Sequence, residues 1–279
     1  MDDAEPSSKP SLMRRTRSGV LWVGVVMIGS KVLSVATTLI LARLLAPNDF
    51  GLVAASGIVI SALALFTDLG FGAAIIHSRA NRQRMASTAF FILPVIGLGL
   101  YVLAFASAPT LAHLLGSPGA ATIMRIVAVN IVLSSLTIVP SVLLEKDMAY
   151  RRKVIPDLVP TIVYIPVTLT LAAGLHWGAY SMAWGMVAMA VTSLVLNWVV
   201  SGWRPSPVFD WAVARDLTRY GRNVLGGSLV AYLATNLDNA FVSRAVGTAG
   251  LGYYTLAYSI ANLPADDALI PGCLTGAGP

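Results

Sequence analysis

Few side chains in this sequence of 279 residues could do chemistry, and the most unusual of them is a lysine inside an apolar stretch. Residues 19–45 are apolar for longer than the roughly 20 residues a helix needs to cross a bilayer, and Lys31 stands near their middle. A cation at that depth is costly in hydrocarbon, so Lys31 either snorkels to an interface or faces a protein- or water-lined interior. Gly24, Met27, Lys31, Ser34 and Thr38 recur at steps of three and four and share one helical face, leaving Leu33, Val35, Leu39 and Ile40 for lipid or packing. Lys31 is therefore a candidate for offsetting the charge of an anionic ligand; the other reading is that it pairs with a carboxylate such as Asp238 and ties two helices together. Asp238, with Asn236 and Asn239 beside it, could bind a coupling proton or Na+, as intramembrane carboxylates do, or serve as a structural hydrogen-bond acceptor. Arg43 and Arg244 end two apolar stretches, where arginine contacts an anionic ligand or anchors the helix at the interface.

Catalytic and metal chemistry find no support in the spacing. His77, His113 and His176 fall in different loops with no cysteine or carboxylate at ligand spacing, and the lone Cys273 cannot form an internal disulfide. The expectation is a protein that is not an enzyme and that carries neither cofactor nor metal. With 56% hydrophobic and 11% charged residues and a mean hydropathy of +0.75, the chain lies outside the range of soluble domains. A net charge of +6 could suggest nucleic acid, but the basic residues sit between apolar stretches rather than on a soluble face with interleaved aromatics.

These candidates must be positioned by membrane helices. Beyond the first stretch, apolar segments cover about 50–76, 85–108, 120–144, 154–175 and 179–200, followed by a less apolar one at 224–246 and another starting near 250. Arg14, Arg15 and Arg17, then Arg79 and Arg82, then Arg151 and Arg152, then Arg204, Arg215 and Arg219 fall in alternate connections, which predicts a cytoplasmic amino terminus. In residues 204–223, Asp210 can cap a short helix whose Trp211, Ala214 and Leu217 turn one way and whose Arg215, Asp216 and Arg219 turn another, as expected of a helix on the membrane surface. Pro140, Pro156, Pro160 and Pro166 predict kinks in the fourth and fifth spans. Asp68, before Gly70 and Gly72, reads as a cap at the end of the second span.

Sliding the chain on itself gives one register, at an offset of 201 residues, that places Arg43 on Arg244 and Gly51 on Gly252. In the same register Met27, Lys31, Ser34 and Thr38 fall on Ser228, Tyr232, Thr235 and Asn239, so the polar stripe repeats. Six spans separate the copies, an even number, which makes the repeat parallel, with an axis along the membrane normal and two lobes around a central cavity.

LARLLAPNDFGLVAAS after the first span, DLGFGAAIIH closing the second, EKDMAYRRKVIPDLVP entering the fifth and NLDNAFVSRAVGTAGLGYYTLAYSIANLP from the seventh into the eighth resemble the polysaccharide transporters. These are flippases of lipid-linked oligosaccharides within the multidrug/oligosaccharidyl-lipid/polysaccharide superfamily, and the resemblance covers residues 18–264. It implies an all-α polytopic membrane bundle of two parallel lobes of six to seven helices alternating between inward-open and outward-open states. It also implies an undecaprenyl-pyrophosphate-linked O-antigen, capsule or exopolysaccharide repeat unit as cargo, the bacterial inner membrane as location, and membrane lipid and the polysaccharide assembly machinery as partners. On this reading Lys31, Arg43, Arg244 and Asn239 bind substrate and Asp238 couples an ion. The alternative is a cation-coupled multidrug exporter of the same superfamily, whose cavity should favour carboxylates and aromatics over a lysine. The expected organisation is a basic segment at 1–18, a first lobe at 19–203, an interfacial connection at 204–223 and the start of a second lobe at 224–279. Residues 265–279 lose the apolar run of an eighth span, so a truncated or frameshifted reading frame, with an inactive fragment as product, is also an expectation.

Overall fold

The computed structural model describes residues 29, 33–68, 71–77, 82–146 and 150–261, and among them every regular element is a helix. In chain order they are α1 (Leu33–Leu44), α2 (Pro47–Asp68), α3 (Phe71–His77), α4 (Arg82–Leu114), α5 (Ala120–Lys146), α6 (Tyr150–Gly174), α7 (Ala179–Ser201), α8 (Trp211–Val246) and α9 (Thr248–Ala261). Five of them, α2 and α4 to α7, are long and apolar enough to cross a membrane. The chain is an all-α, multi-pass membrane bundle, as its composition predicts. Helices are forced on it because hydrocarbon offers no partner for backbone N–H and C=O groups, and a helix satisfies them within one segment.

Helices α4 to α7 pack side by side, with α2 laid against α5 and α9 laid against α2. The central core joins Leu41 and Leu45 of α1, Val53 and Ile60 of α2, Ile123, Val127 and Ile131 of α5, and Met182 and Ala183 of α7. Small residues let these backbones approach, as membrane helices require in the absence of a hydrophobic drive between them. A Cβ on Gly97 of α4 would lie 2.7 Å from Ser135 Oγ of α5. The prolines do not break their helices: α4 runs through Pro94 and Pro109, α5 through Pro140, and α6 through Pro156, Pro160 and Pro166.

Two elements differ from the sequence expectation. The second apolar segment is described as two helices, α2 and α3, and the Asp68 carboxylate accepts from the Gly72 N–H in the first turn of α3 at 3.0 Å. The opposite end of α3 is held by Lys146, whose Nζ donates to the Ile75 carbonyl at 2.6 Å. The second difference lies in the connection after α7, which ends at Gly202 in the left-handed conformation (φ 58). Asp210 caps α8 as expected, accepting from the N–H groups of Ala212 and Val213 at 2.9 and 3.4 Å. The helix it starts continues to Val246, 36 residues or about 54 Å. Ala214 and Leu217 are buried, but against protein: Leu217 belongs to one apolar cluster with Phe71 and Ile75 of α3 and Met85 and Ala89 of α4, the helices that α8 touches here. The exposed residue is Trp211. The amphipathic stripe was legible; that its apolar side meets the bundle rather than lipid is decided by tertiary packing.

The connection before α8 is stitched to the start of α4. Ser206 shares a hydroxyl contact with Ser87 at 2.9 Å, Gln83 donates to the Arg204 carbonyl at 2.9 Å, and the Trp203 indole N–H donates to Gln83 at 2.9 Å.

Candidate functional site

The two stretches that the 201-residue register lays on each other meet in space at the start of α2. Helix α2 begins with proline at its first position, where a missing N–H costs nothing, and Asp49 reaches back to accept from the Ala46 N–H at 3.1 Å. Four residues into each helix come Gly51 and Gly252. A Cβ on Gly51 would fall on the carbonyl of Thr248, and a Cβ on Gly252 would fall on the carbonyl of Pro47. Pro47 and Thr248 are themselves 201 residues apart, so the contact is reciprocal: each glycine lies against the helix start of the other copy. That is the signature of a local two-fold relation. It pairs α2 with α9, and the register of the sequence extends the relation to α1 and α8. The Thr248 hydroxyl also donates to Asn48 Oδ1 at 2.5 Å across the crossing.

Around this crossing α8, α9 and the α4–α5 turn are tied to α2 and to one another. Leu251 of α9 is fully buried and belongs to one apolar cluster with Ala55, Ala108, Ala112, Ala120 and Met124. The Ser243 hydroxyl donates to the Leu115 carbonyl at 2.8 Å and lies 3.4 Å from Ser117 Oγ, which joins α8 to the α4–α5 turn. Gly116 has φ 67, and the backbone of Arg244 passes beside it. Further along, the Tyr232 phenol donates to the Ile58 carbonyl, linking α8 to α2 within their apolar lengths. These contacts are hydroxyl bonds, glycine crossings and small apolar sockets. Such a seam can part without separating a buried ion pair, which would cost several kcal/mol.

Several candidate side chains flank the seam. Arg43 of α1 and Arg244 of α8, 201 residues apart in the sequence, are both exposed near this crossing. Arg125 sits at the same end, its Nε donating to the Phe105 carbonyl at 3.3 Å and its guanidinium 4.8 Å from the centre of the Phe105 ring. Asp238 and the half-buried Asn239 lie on α8; one Asp238 oxygen accepts from Tyr254 Oη at 2.6 Å and the other from the Asn239 N–H at 2.8 Å. Lys31 lies outside the described residues, as do Met27 and Cys273. His113 lies in the last turn of α4, not in a loop as the sequence suggested, and His176 in the connection between α6 and α7; no group of three or more His, Cys, Asp or Glu residues able to hold a metal occurs among the described residues. Sequence reasoning missed Tyr232, Ser243 and Leu251 as contact residues. The register that aligns Tyr232 with Lys31 was a signal for the first; nothing local marks the other two.

Comparison with known proteins agrees with this architecture. A family model described as polysaccharide biosynthesis protein matches residues 40–269. The chain is 26% identical over 243 residues to the succinoglycan biosynthesis transport protein ExoT of Rhizobium meliloti, covering 87% of this chain and 49% of that one. It is 24% identical over 257 residues to the lipopolysaccharide biosynthesis protein WzxC of Escherichia coli, covering 91% and 52%. The same identity and length hold for the teichuronic acid biosynthesis protein TuaB of Bacillus subtilis, covering 91% and 53%. The chain thus spans about half the length of these relatives. No solved structure matches. On the family match, the chain belongs to the polysaccharide biosynthesis protein family of multi-pass membrane proteins.

Proposed function

We propose that the chain supplies the first lobe, and the opening helices of the second, of a flippase that carries an undecaprenyl-pyrophosphate-linked oligosaccharide from the cytoplasmic to the outer leaflet of the bacterial inner membrane. The observation that carries this reading is the reciprocal crossing at Gly51 and Gly252, which relates α1 and α2 to α8 and α9 as an alternating-access transporter with parallel repeats requires. The relatives' names support the cargo class: one is a succinoglycan biosynthesis transport protein. With the amino terminus cytoplasmic, the end at which α4 and α8 begin, carrying Arg84, Arg204, Arg215 and Arg219, faces the cytoplasm. The crossing then closes the outer end, and cargo loads from the cytoplasmic side.

In this scheme Lys31 offsets the pyrophosphate charge between the lobes, since a buried cation gains most from an anion where dielectric is low. Asn239 hydrogen-bonds the glycan from the equivalent stripe of α8, and Arg43 with Arg244 receives headgroup or glycan at the outer rim. Asp238 couples the cycle to an ion. The lipid tail stays in the bilayer while the lobes rock.

The test is extraction of lipid-linked oligosaccharides from cells with and without the gene, with drug sensitivity recorded on the same strains. Accumulated carrier-linked repeat units, lost surface polymer and unchanged drug tolerance are expected. Unaltered lipid intermediates with increased drug sensitivity would overturn the reading in favour of an exporter.

A further inference from the structure

Two of the prolines inside helices leave a carbonyl to be taken from outside its own helix. Proline has no N–H for the carbonyl four residues back, so Pro109 of α4 frees the Phe105 carbonyl and Pro140 of α5 frees that of Leu136. In both cases a side chain of the neighbouring helix donates to it: the Trp198 indole N–H of α7 to Leu136 at 3.1 Å, and Arg125 Nε of α5 to Phe105 at 3.3 Å. The two donors differ in what they have left. An indole has one N–H, which Trp198 spends on the carbonyl, whereas a guanidinium has five and Arg125 spends one. That guanidinium lies 4.8 Å from the centre of the Phe105 ring. Arg125 is half-buried in the second turn of α5, and among the described residues no carboxylate lies within ion-pair distance of it.

A ridge of apolar side chains leads to this guanidinium. Val95, Leu98, Val102 and Phe105 follow at steps of three and four, so they share one face of α4, and all are exposed, Val95 by 72% and Val102 by 57%. From Val95 to Phe105 the helix rises about 15 Å, one leaflet's share of a roughly 30 Å hydrocarbon core. With 33 residues, α4 is about 50 Å long and overhangs that core by about 10 Å at each end, which sets the Phe105 carbonyl close to the boundary between hydrocarbon and headgroups. The geometry points to a site for one anionic phospholipid on the outside of the bundle between α4 and α5, with an acyl chain along the ridge and the headgroup phosphate on the guanidinium of Arg125. Guanidinium meets phosphate through paired N–H groups, and headgroups supply negative charge at this depth, where a carboxylate from a protein partner would be costly. Pro109 makes the site specific. An arginine free to snorkel follows any headgroup, whereas Arg125 is tied through Nε to a backbone carbonyl and presents its remaining donors from a fixed position. The site rests on α4 and Arg125, independent of the cargo and of the direction of transport.

Native mass spectrometry of the purified chain tests it, with phosphatidylglycerol and phosphatidylcholine of the same acyl chains added at equal concentration. The chain is expected to retain phosphatidylglycerol in preference, and Arg125→Gln to lower that preference about fivefold, the share of one basic side chain near an anionic headgroup. Pro109→Ala restores an N–H to the Phe105 carbonyl and releases the guanidinium, so it lowers the preference with every charge still in place; a loose electrostatic anchor would not respond to that change. Trp198→Phe removes the donor from the other freed carbonyl and leaves the preference as it was. Equal retention of the two lipids by the native chain, or a preference unchanged in Arg125→Gln or in Pro109→Ala, overturns the inference. So does displacement of phosphatidylglycerol by an equal concentration of undecaprenyl pyrophosphate, which would assign the phosphate site to the cargo.

Discussion

The crossing of α2 and α9 makes the sharpest prediction. A methyl group on Gly51 overlaps the carbonyl of Thr248, and backbone atoms cannot swing aside as a flexible side chain would. To restore van der Waals separation, the two helix starts must part by roughly 1–2 Å. Overpacking of this kind costs about 1–3 kcal/mol, all of it in the closed arrangement, so Gly51→Ala shifts the closed-to-open ratio by about 5- to 150-fold toward open. The two-fold relation adds two demands. Gly252→Ala costs about the same, because it meets the equivalent carbonyl of Pro47. The double variant costs less than the sum, because one displacement relieves both overlaps. Gly57→Ala, in the same helix with nothing within 4 Å of its added Cβ, is the control and should be neutral or stabilising by about 0.5–1 kcal/mol. Pulsed electron-resonance distances between spin labels at Ser117 and Ser243, whose hydroxyl oxygens are 3.4 Å apart, report the closed and open populations in lipid nanodiscs. A distance distribution unchanged in Gly51→Ala, with unchanged thermal stability, would refute the reasoning.

Leu251→Ala removes a fully buried side chain from the cluster it shares with α2, α4 and α5 and should destabilise the fold by about 2–5 kcal/mol, read as a lower unfolding midpoint. Tyr232→Phe leaves the Ile58 carbonyl without its phenol donor; because a carbonyl in a helix already holds one bond, the loss should be about 0.5–1.5 kcal/mol, seen as a modest shift to open. Asp210→Ala removes both cap bonds of α8 and should cost about 0.5–2 kcal/mol in thermal unfolding, with Asp210→Asn retaining most of the stability.

Much of this fold is legible in the sequence because hydrocarbon leaves so little choice. Runs such as 120–144 and 179–200 can only be buried as helices, and α5 and α7 follow them to within a few residues. The offset that laid Gly51 on Gly252 was also legible, and it proved to be a physical contact, since glycine is what a backbone-to-backbone crossing selects. The break between α2 and α3 was half visible: Asp68 read as a cap, but the segment still read as one span, because a side-chain cap leaves the hydropathy unchanged. The length of α8 was not legible, because a stripe like Ala214 and Leu217 looks the same whether it meets lipid or the Phe71–Ile75 side of the bundle. The partner of Asp238 was also hidden. Its carboxylate accepts from Tyr254, 16 residues on in the neighbouring helix, a pairing set by how α9 turns back on α8, while Lys31, the partner the sequence offered as one alternative, lies outside the described residues.

The most direct test of transport through this seam is a reversible lock. Cysteines at 117 and 243, in cells lacking the native gene, should form a disulfide on mild oxidation, because their side chains already meet at the closed end. If the outer end must open to release a lipid-linked glycan, oxidation will halt surface polymer and accumulate carrier-linked repeat units, and reductant will restore export, while either single cysteine stays indifferent to oxidant. Continued export by the fully cross-linked protein would contradict the proposed path.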